Sequence, residues 1–137
     1  MKYNYLINSS ANKRHIFKSI SWRVVASIDT FIIANFITGH SLDALKISLF
    51  EVLTKLFLYY LHEKIWFNSP IRNTKIRHLI KPFSWRLIGT LDTFLISYLI
   101  TGSFINGIQI SLIESLTKIL LFYLHDKIWY KSKYGLN

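Results

Sequence analysis

Glu51, Lys55 and His62 stand at i, i+4 and i+11 in a stretch that is otherwise mostly apolar, and Glu114, Lys118 and His125 repeat the spacing further on. At 3.6 residues per turn these offsets bring each trio within about 40° on one helical face. A carboxylate four residues before an ammonium is the favourable order for an intrahelical ion pair. An imidazole, which titrates near neutrality, adds a group able to respond to protons. Ser48 and Ala44 extend the stripe in the first set, Ser111 and Gly107 in the second. The stretches that precede them each add a base and an acid, Arg23 with Asp29 and Arg86 with Asp92. The chemistry open to such a set is the handling of charge: ion pairing, proton exchange and passage of a charged solute.

Other chemistries lack their parts. There is no cysteine, so thiolate catalysis, thiolate metal sites and disulfides are absent. His62-Glu63-Lys64-Ile65-Trp66 lacks the second histidine of a metalloprotease motif, and no phosphate-binding loop or nucleophile constellation occurs. Two histidines and the acids beside them, Glu63 and Asp126, could be gathered into a metal site. However, an adjacent residue points about 100° away on a helix, which is not ligand spacing. The sequence predicts no catalytic residue, no metal and no cofactor, and hence no enzyme.

The elements that carry these residues come in two copies. A shift of 63 positions lays residues 14–67 on residues 77–130 without a gap, and 27 of the 54 pairs are identical. Arg14-His15 falls on Arg77-His78, Ser21-Trp22-Arg23 on Ser84-Trp85-Arg86, and Asp29-Thr30-Phe31 on Asp92-Thr93-Phe94. Thr38-Gly39 falls on Thr101-Gly102, Leu53-Thr54-Lys55 on Leu116-Thr117-Lys118, and Tyr60-Leu61-His62 on Tyr123-Leu124-His125. Two copies are too few for a solenoid and indicate a duplicated hairpin.

Half of the chain is hydrophobic, and only two prolines and five glycines interrupt it, so the apolar residues lie in long runs suited to lipid. A span over residues 18 to 38, a turn at Gly39-His40-Ser41 and a span over 43 to 66 make the first hairpin. The uncharged run from 93 to 113 crosses Gly102-Ser103 and is divided between two helices of the second, with Pro82 expected in the first turn of the third helix. The predicted fold is an all-α integral membrane protein with four transmembrane helices, arranged as two tandem hairpins in parallel orientation. Its parts are a basic tail over residues 1–15, hairpins over 16–67 and 77–130, a linker over 68–76 and a basic tail over 131–137. Any symmetry axis should run along the membrane normal.

The net charge of +10 raises the prospect of nucleic-acid binding, but its distribution favours a bilayer partner. Lysine and arginine cluster before the first span, between the second and third, and after the fourth, as expected when both termini are cytoplasmic. Trp22, Trp66, Trp85 and Trp129 all fall at these basic ends and are expected to anchor them at the headgroup level. If Thr38 and Asp43 are level, Asp29 lies at the depth of Glu51, roughly 12–14 Å from the turn. One hairpin would then gather two acids and two bases, Asp29 and Glu51 against Arg23 and Lys55, with Asp92 and Glu114 against Arg86 and Lys118. An unpaired ion at that depth costs at least about 2.5 kcal/mol, so the pairs either fix helix register or line a polar route.

The ordered pattern Lys-x-x-Ser-Trp-Arg, Asp-Thr-Phe, Thr-Gly, Glu-x-x-x-Lys and Tyr-Leu-His-(Glu/Asp)-Lys-Ile-Trp occurs at residues 18–66 and, with Pro82 in place of Ser19 and Asp126 in place of Glu63, at 81–129. It resembles a family of small prokaryotic membrane proteins, domain of unknown function 2061. The resemblance implies an integral membrane protein and brings no established activity; the expected location is the inner membrane of a prokaryote. Fusion of members to sulfate-assimilation enzymes would point to anion handling. The expected function is a channel or permease for an ion or small anionic solute, working as a homo-oligomer. The alternative is an accessory subunit of a larger membrane complex.

Overall fold

The computed structural model describes residues 2–134, with side chains from Asn12 onward. It consists of four helices, α1 (Lys2–Thr38), α2 (Ser41–Phe67), α3 (Thr74–Thr101) and α4 (Phe104–Lys131), and no strand occurs among the described residues. Both tight turns depend on glycine. Gly39 and Gly102 take φ of +69° and +68°, a left-handed conformation that a β-carbon would penalise, and their N–H groups close on the carbonyls of Asn35 and Tyr98 at 3.0 and 2.8 Å. The Ser103 hydroxyl accepts from the Asn106 N–H at 3.3 Å to start α4, and the Asn73 amide oxygen accepts from the Lys75 N–H at 3.1 Å to start α3.

Three boundaries differ from the sequence reading. The tail expected over residues 1–15 is helical from Lys2 and continues into α1. The linker expected over 68–76 is shorter, because the cap at Asn73 starts α3 at Thr74. Pro82 therefore lies inside α3 rather than in its first turn. It leaves the carbonyl of His78 without its helical donor, and His78 is exposed.

Because the turns are short, neighbours run antiparallel. α1 packs on α2 and α4, and α3 packs on the same two, so the four helices form a ring. The hairpins α1–α2 and α3–α4 meet about an approximate two-fold axis along the bundle, as the matched contacts below demonstrate. Toward the turns the ring is filled by Ile33, Ala34, Ala44, Ile47 and Ile110. Copy-related positions fill it alike: Ile47 and Ile110 are both fully buried, as are Ala34 and Ser97. Small residues let the helices approach closely, as is usual where lipid offers no hydrophobic drive to association. A β-carbon on Gly107 would lie 3.1 Å from the Phe94 ring and 3.2 Å from its carbonyl oxygen.

The outward faces are apolar. Leu53, Phe57 and Leu116 are 65%, 63% and 71% exposed, a surface that suits hydrocarbon better than water. Asn12–Thr38 and Phe104–Lys131 are long and apolar enough to cross a membrane. α2 has 27 residues but carries Lys46, Glu51 and Lys55, of which Glu51 is buried against its neighbours. Gly107→Leu should overpack the α3–α4 contact and cost about 1–3 kcal/mol, read as a lowered unfolding temperature in detergent.

Candidate functional site

Below the apolar plug the helices part around a cavity of about 660 Å³. Its walls are eleven pairs of residues, each pair related by the 63-position shift, so the cavity sits on the internal two-fold. α1 contributes residues 19 to 30 and α2 residues 48 to 59, with α3 and α4 supplying the copies. No lining residue lies on the turn side, where Ile33, Ala34 and Ala44 close the ring. The cavity thus occupies the basic half of the bundle and ends at the plug. Arg23, Arg86, Lys55, Lys118, Glu51 and Glu114 are its charged residues.

At its inner end four charges alternate in a closed ring. Lys55 pairs with Glu51 on its own helix and with Glu114 Oε1 across the bundle at 3.4 Å, while Lys118 pairs with Glu114 and with Glu51 Oε1 at 2.8 Å. Each ammonium also donates to a threonine on the neighbouring hairpin, Lys55 to Thr93 at 2.9 Å and Lys118 to Thr30 at 3.1 Å. Glu51 and Glu114 are 3% and 2% exposed. Ions this far from water persist only when paired and hydrogen-bonded, because desolvation of a lone charge would exceed any local gain.

The expected grouping within one hairpin is not what forms. Asp29 accepts from Thr117 of the other hairpin at 2.8 Å, and Asp92 accepts from Thr54 at 2.8 Å. The reason lies in the ring of helices. The α1–α2 seam is given to small apolar residues, so the polar face of α1 turns to α4 and that of α3 to α2. Arg23 and Arg86 are not the counter-ions of these acids. Among the described residues neither makes an ion pair, and both face the cavity.

His62 and His125 belong to a separate layer at the basic end. The Ser84 hydroxyl donates to the Lys81 carbonyl at 2.9 Å, which commits its single hydrogen, so it must accept from both the Trp66 indole at 3.1 Å and His62 Nε2 at 2.8 Å. Ser21 repeats this with the Lys18 carbonyl, Trp129 and His125. The imidazole proton therefore sits on Nε2, and Nδ1 of each ring is buried without a partner. Arg77 covers Trp66 at 5.9 Å and donates to its carbonyl at 2.8 Å, and Arg14 treats Trp129 likewise. Lys81 pairs with Glu63 at 2.8 Å and Lys18 with Asp126.

The tryptophans do sit at the basic ends, but they serve helix contacts as well as depth. Trp66 is 8% exposed, Trp22 packs edge-on against Phe122 at 5.1 Å, and Trp85 against Tyr59 at 5.3 Å. Among the described residues no group of three or more metal-ligating side chains occurs. Sequence reasoning passed over Ser21, Ser84, Thr30, Thr93, Thr54, Thr117, Arg14 and Arg77 as site residues. Their identity between the copies was the available signal.

Each hairpin is one structural unit, and the cavity exists only where two such units face each other. The family described as "Predicted membrane protein (DUF2061)" matches residues 16–67 and, a second time, residues 79–130. The chain belongs to that family. One DUF2061 unit is therefore one helical hairpin, and this membrane protein holds two of them in tandem. Neither a curated protein nor a solved structure matches the chain.

The serine, tryptophan and histidine bonds of the DUF2061 pair at the basic end occur in both copies, so these two locks should be energetically alike. Ser21→Ala and Ser84→Ala each leave an indole and an imidazole donor without an acceptor, and each should cost about 1–3 kcal/mol. With no shared partner, the two losses should add to within about 0.5 kcal/mol in denaturant unfolding of the double variant.

Proposed function

We propose that this chain is a multi-pass protein of a prokaryotic inner membrane, with both termini cytoplasmic, which admits a small anionic solute into its axial cavity and passes it across the bilayer. The observation that carries this reading is the charge of the cavity wall. Four cations line it against two carboxylates, and the two lysines already serve both carboxylates, which leaves Arg23 and Arg86 without an ion pair among the described residues.

An anion entering from the basic end meets the guanidinium pair first. Arginine offers a planar fork of donors that fits carboxylate, sulfate or phosphate oxygens and loses little hydration on binding. Converging cations between low-dielectric walls concentrate their field in the opening. Deeper in, Lys55 and Lys118 can trade a glutamate oxygen for a solute oxygen, so the ring gives the solute a second station. Release on the far side requires the plug of Ile33, Ile47 and Ile110 to part. The small residues along the hairpin seams favour such sliding of helices.

The cavity is complete within one chain, so association into a homo-oligomer would multiply the route rather than create it. A second reading, an accessory subunit of a larger membrane complex, draws on the neutrality of the Lys–Glu ring, which joins the hairpins with no solute present. That reading expects a stoichiometric partner to co-purify and to be lost on substitution of Glu51.

Reconstitution separates the two. Liposomes containing the protein should take up sulfate or chloride faster than empty vesicles. Arg23→Ala combined with Arg86→Ala should slow uptake about tenfold or more, as expected for losing a charge-assisted hydrogen bond. Flux equal to that of empty vesicles for both anions, with a stable partner present, would overturn the transport reading.

A further inference from the structure

Glu51 and Glu114 each hold one carboxylate oxygen that the bundle leaves bare. Oε1 of Glu51 takes both lysines and lies 3.4 Å from the Thr93 hydroxyl, and Oε1 of Glu114 also takes both lysines. Oε2 of each residue is sealed from water and has no hydrogen-bond partner. Buried polar atoms are nearly always satisfied, so two orphans at copy-related positions call for a cause. The donors nearby are committed to the other oxygen or to backbone. The Thr30 hydroxyl goes to the Ala26 carbonyl at 3.1 Å and that of Thr93 to Gly89 at 3.1 Å. A place closed to water and to larger cations still accepts a proton.

Charge balance points the same way. Asp29 on α1 and Asp92 on α3 stand outside the cavity wall, each held by a threonine hydroxyl. Counting them, four carboxyl groups in the middle of the bundle face Lys55 on α2 and Lys118 on α4, with Arg23 on α1 and Arg86 on α3 nearer the basic end. The set sums to zero. An anion bound alone would leave an uncompensated negative charge in apolar surroundings. His62 and His125 also hold a bare ring nitrogen, Nδ1, but they lie about 16 Å further along their helices, too far for a proton there to offset an anion at the ring.

We propose that Glu51 and Glu114 are proton-binding sites that couple proton uptake to anion binding in this cavity, an inference that rests on the anionic-solute reading above. A proton from solution adds to Oε2 and converts the carboxylate to the neutral acid. Its Oε1 then holds Lys55 and Lys118 less strongly, and a freed ammonium, protonated throughout, turns to the anion. One proton balances a monoanion and one on each glutamate balances a dianion, so the bundle stays neutral as it loads. Carried across together, the pair would make the protein a proton-coupled anion carrier, and a pH gradient would drive accumulation.

The full chain in detergent, lightly buffered and with a pH indicator, provides the test, with sodium sulfate and sodium chloride as probes. Binding should draw about one proton per chloride and about two per sulfate from solution, and by linkage the Kd should rise about tenfold for chloride and about a hundredfold for sulfate for each unit increase in pH. Glu51→Gln combined with Glu114→Gln fixes the neutral form. Proton uptake should vanish and the Kd should no longer vary with pH. Should that variant fail to fold, the proton count on the native chain decides alone. Anion binding without proton uptake between about pH 5 and 9, a range that spans ordinary and strongly raised carboxyl pKa values, would overturn the coupling and leave the anion site standing. No binding of either probe at any pH would remove both.

Discussion

An ion placed far from water must be neutralised by its own structure, and this requirement sets the geometry of the bundle. Neither Glu51 nor Glu114 could be accommodated by its own helix alone. Each is held between an intrahelical lysine and the lysine of the opposite hairpin. The ring therefore fastens together two units that, in lipid, have no hydrophobic reason to associate. Loss of one member would leave another as an unpaired charge in the interior, which is far costlier than the net worth of the pair.

Around that ring the bundle divides into three layers with different physics. At the turns, Ile47, Ile110 and the small residues Ala34, Ala44, Ser97 and Gly107 pack tightly, and the Ser97 hydroxyl is buried there without a partner. At the basic end, serine, tryptophan, histidine and arginine lock α1 to α4 and α3 to α2 through directional bonds. Between them the helices separate enough to leave a polar space. Two packed ends thus flank a hollow, polar middle.

Much of this was legible in the sequence, and the misses have a common origin. The 63-residue repeat, the glycine turns and the inward stripe of Glu51 and Lys55 follow from spacing and helical period, which are local properties. Which helix each stripe would face is not local. Folding α1 onto α2 in one dimension put Asp29 opposite Glu51. A ring of four gives each helix two neighbours, and the small residues of the hairpin seam pushed the polar face to the other one. Ser21 and Ser84 carried no chemical signature of their own. Their role as acceptors for an indole and an imidazole depends on a helix more than 100 residues away in one case. Arg14 lay in what read as a tail, because a long helix with a polar first half has no apolar stripe to announce it.

The two walls of the cavity are alike in charge but not in surface. Arg23, Glu51, Lys55 and Thr30 have identical copies, whereas Val52 stands opposite Ser115, Tyr59 opposite Phe122, and Ala26 opposite Gly89. The Thr90 hydroxyl approaches that of Ser115 at 3.5 Å, and Val52 has no oxygen with which to repeat the contact. In a vessel assembled from two identical chains, one codon change alters both sides at once. Here the sides are encoded separately and have diverged, so the cavity has a left and a right. On the proposed anion reading, a solute lacking two-fold symmetry would find two orientations of unequal energy there, where a symmetric dimer would offer it two of equal energy.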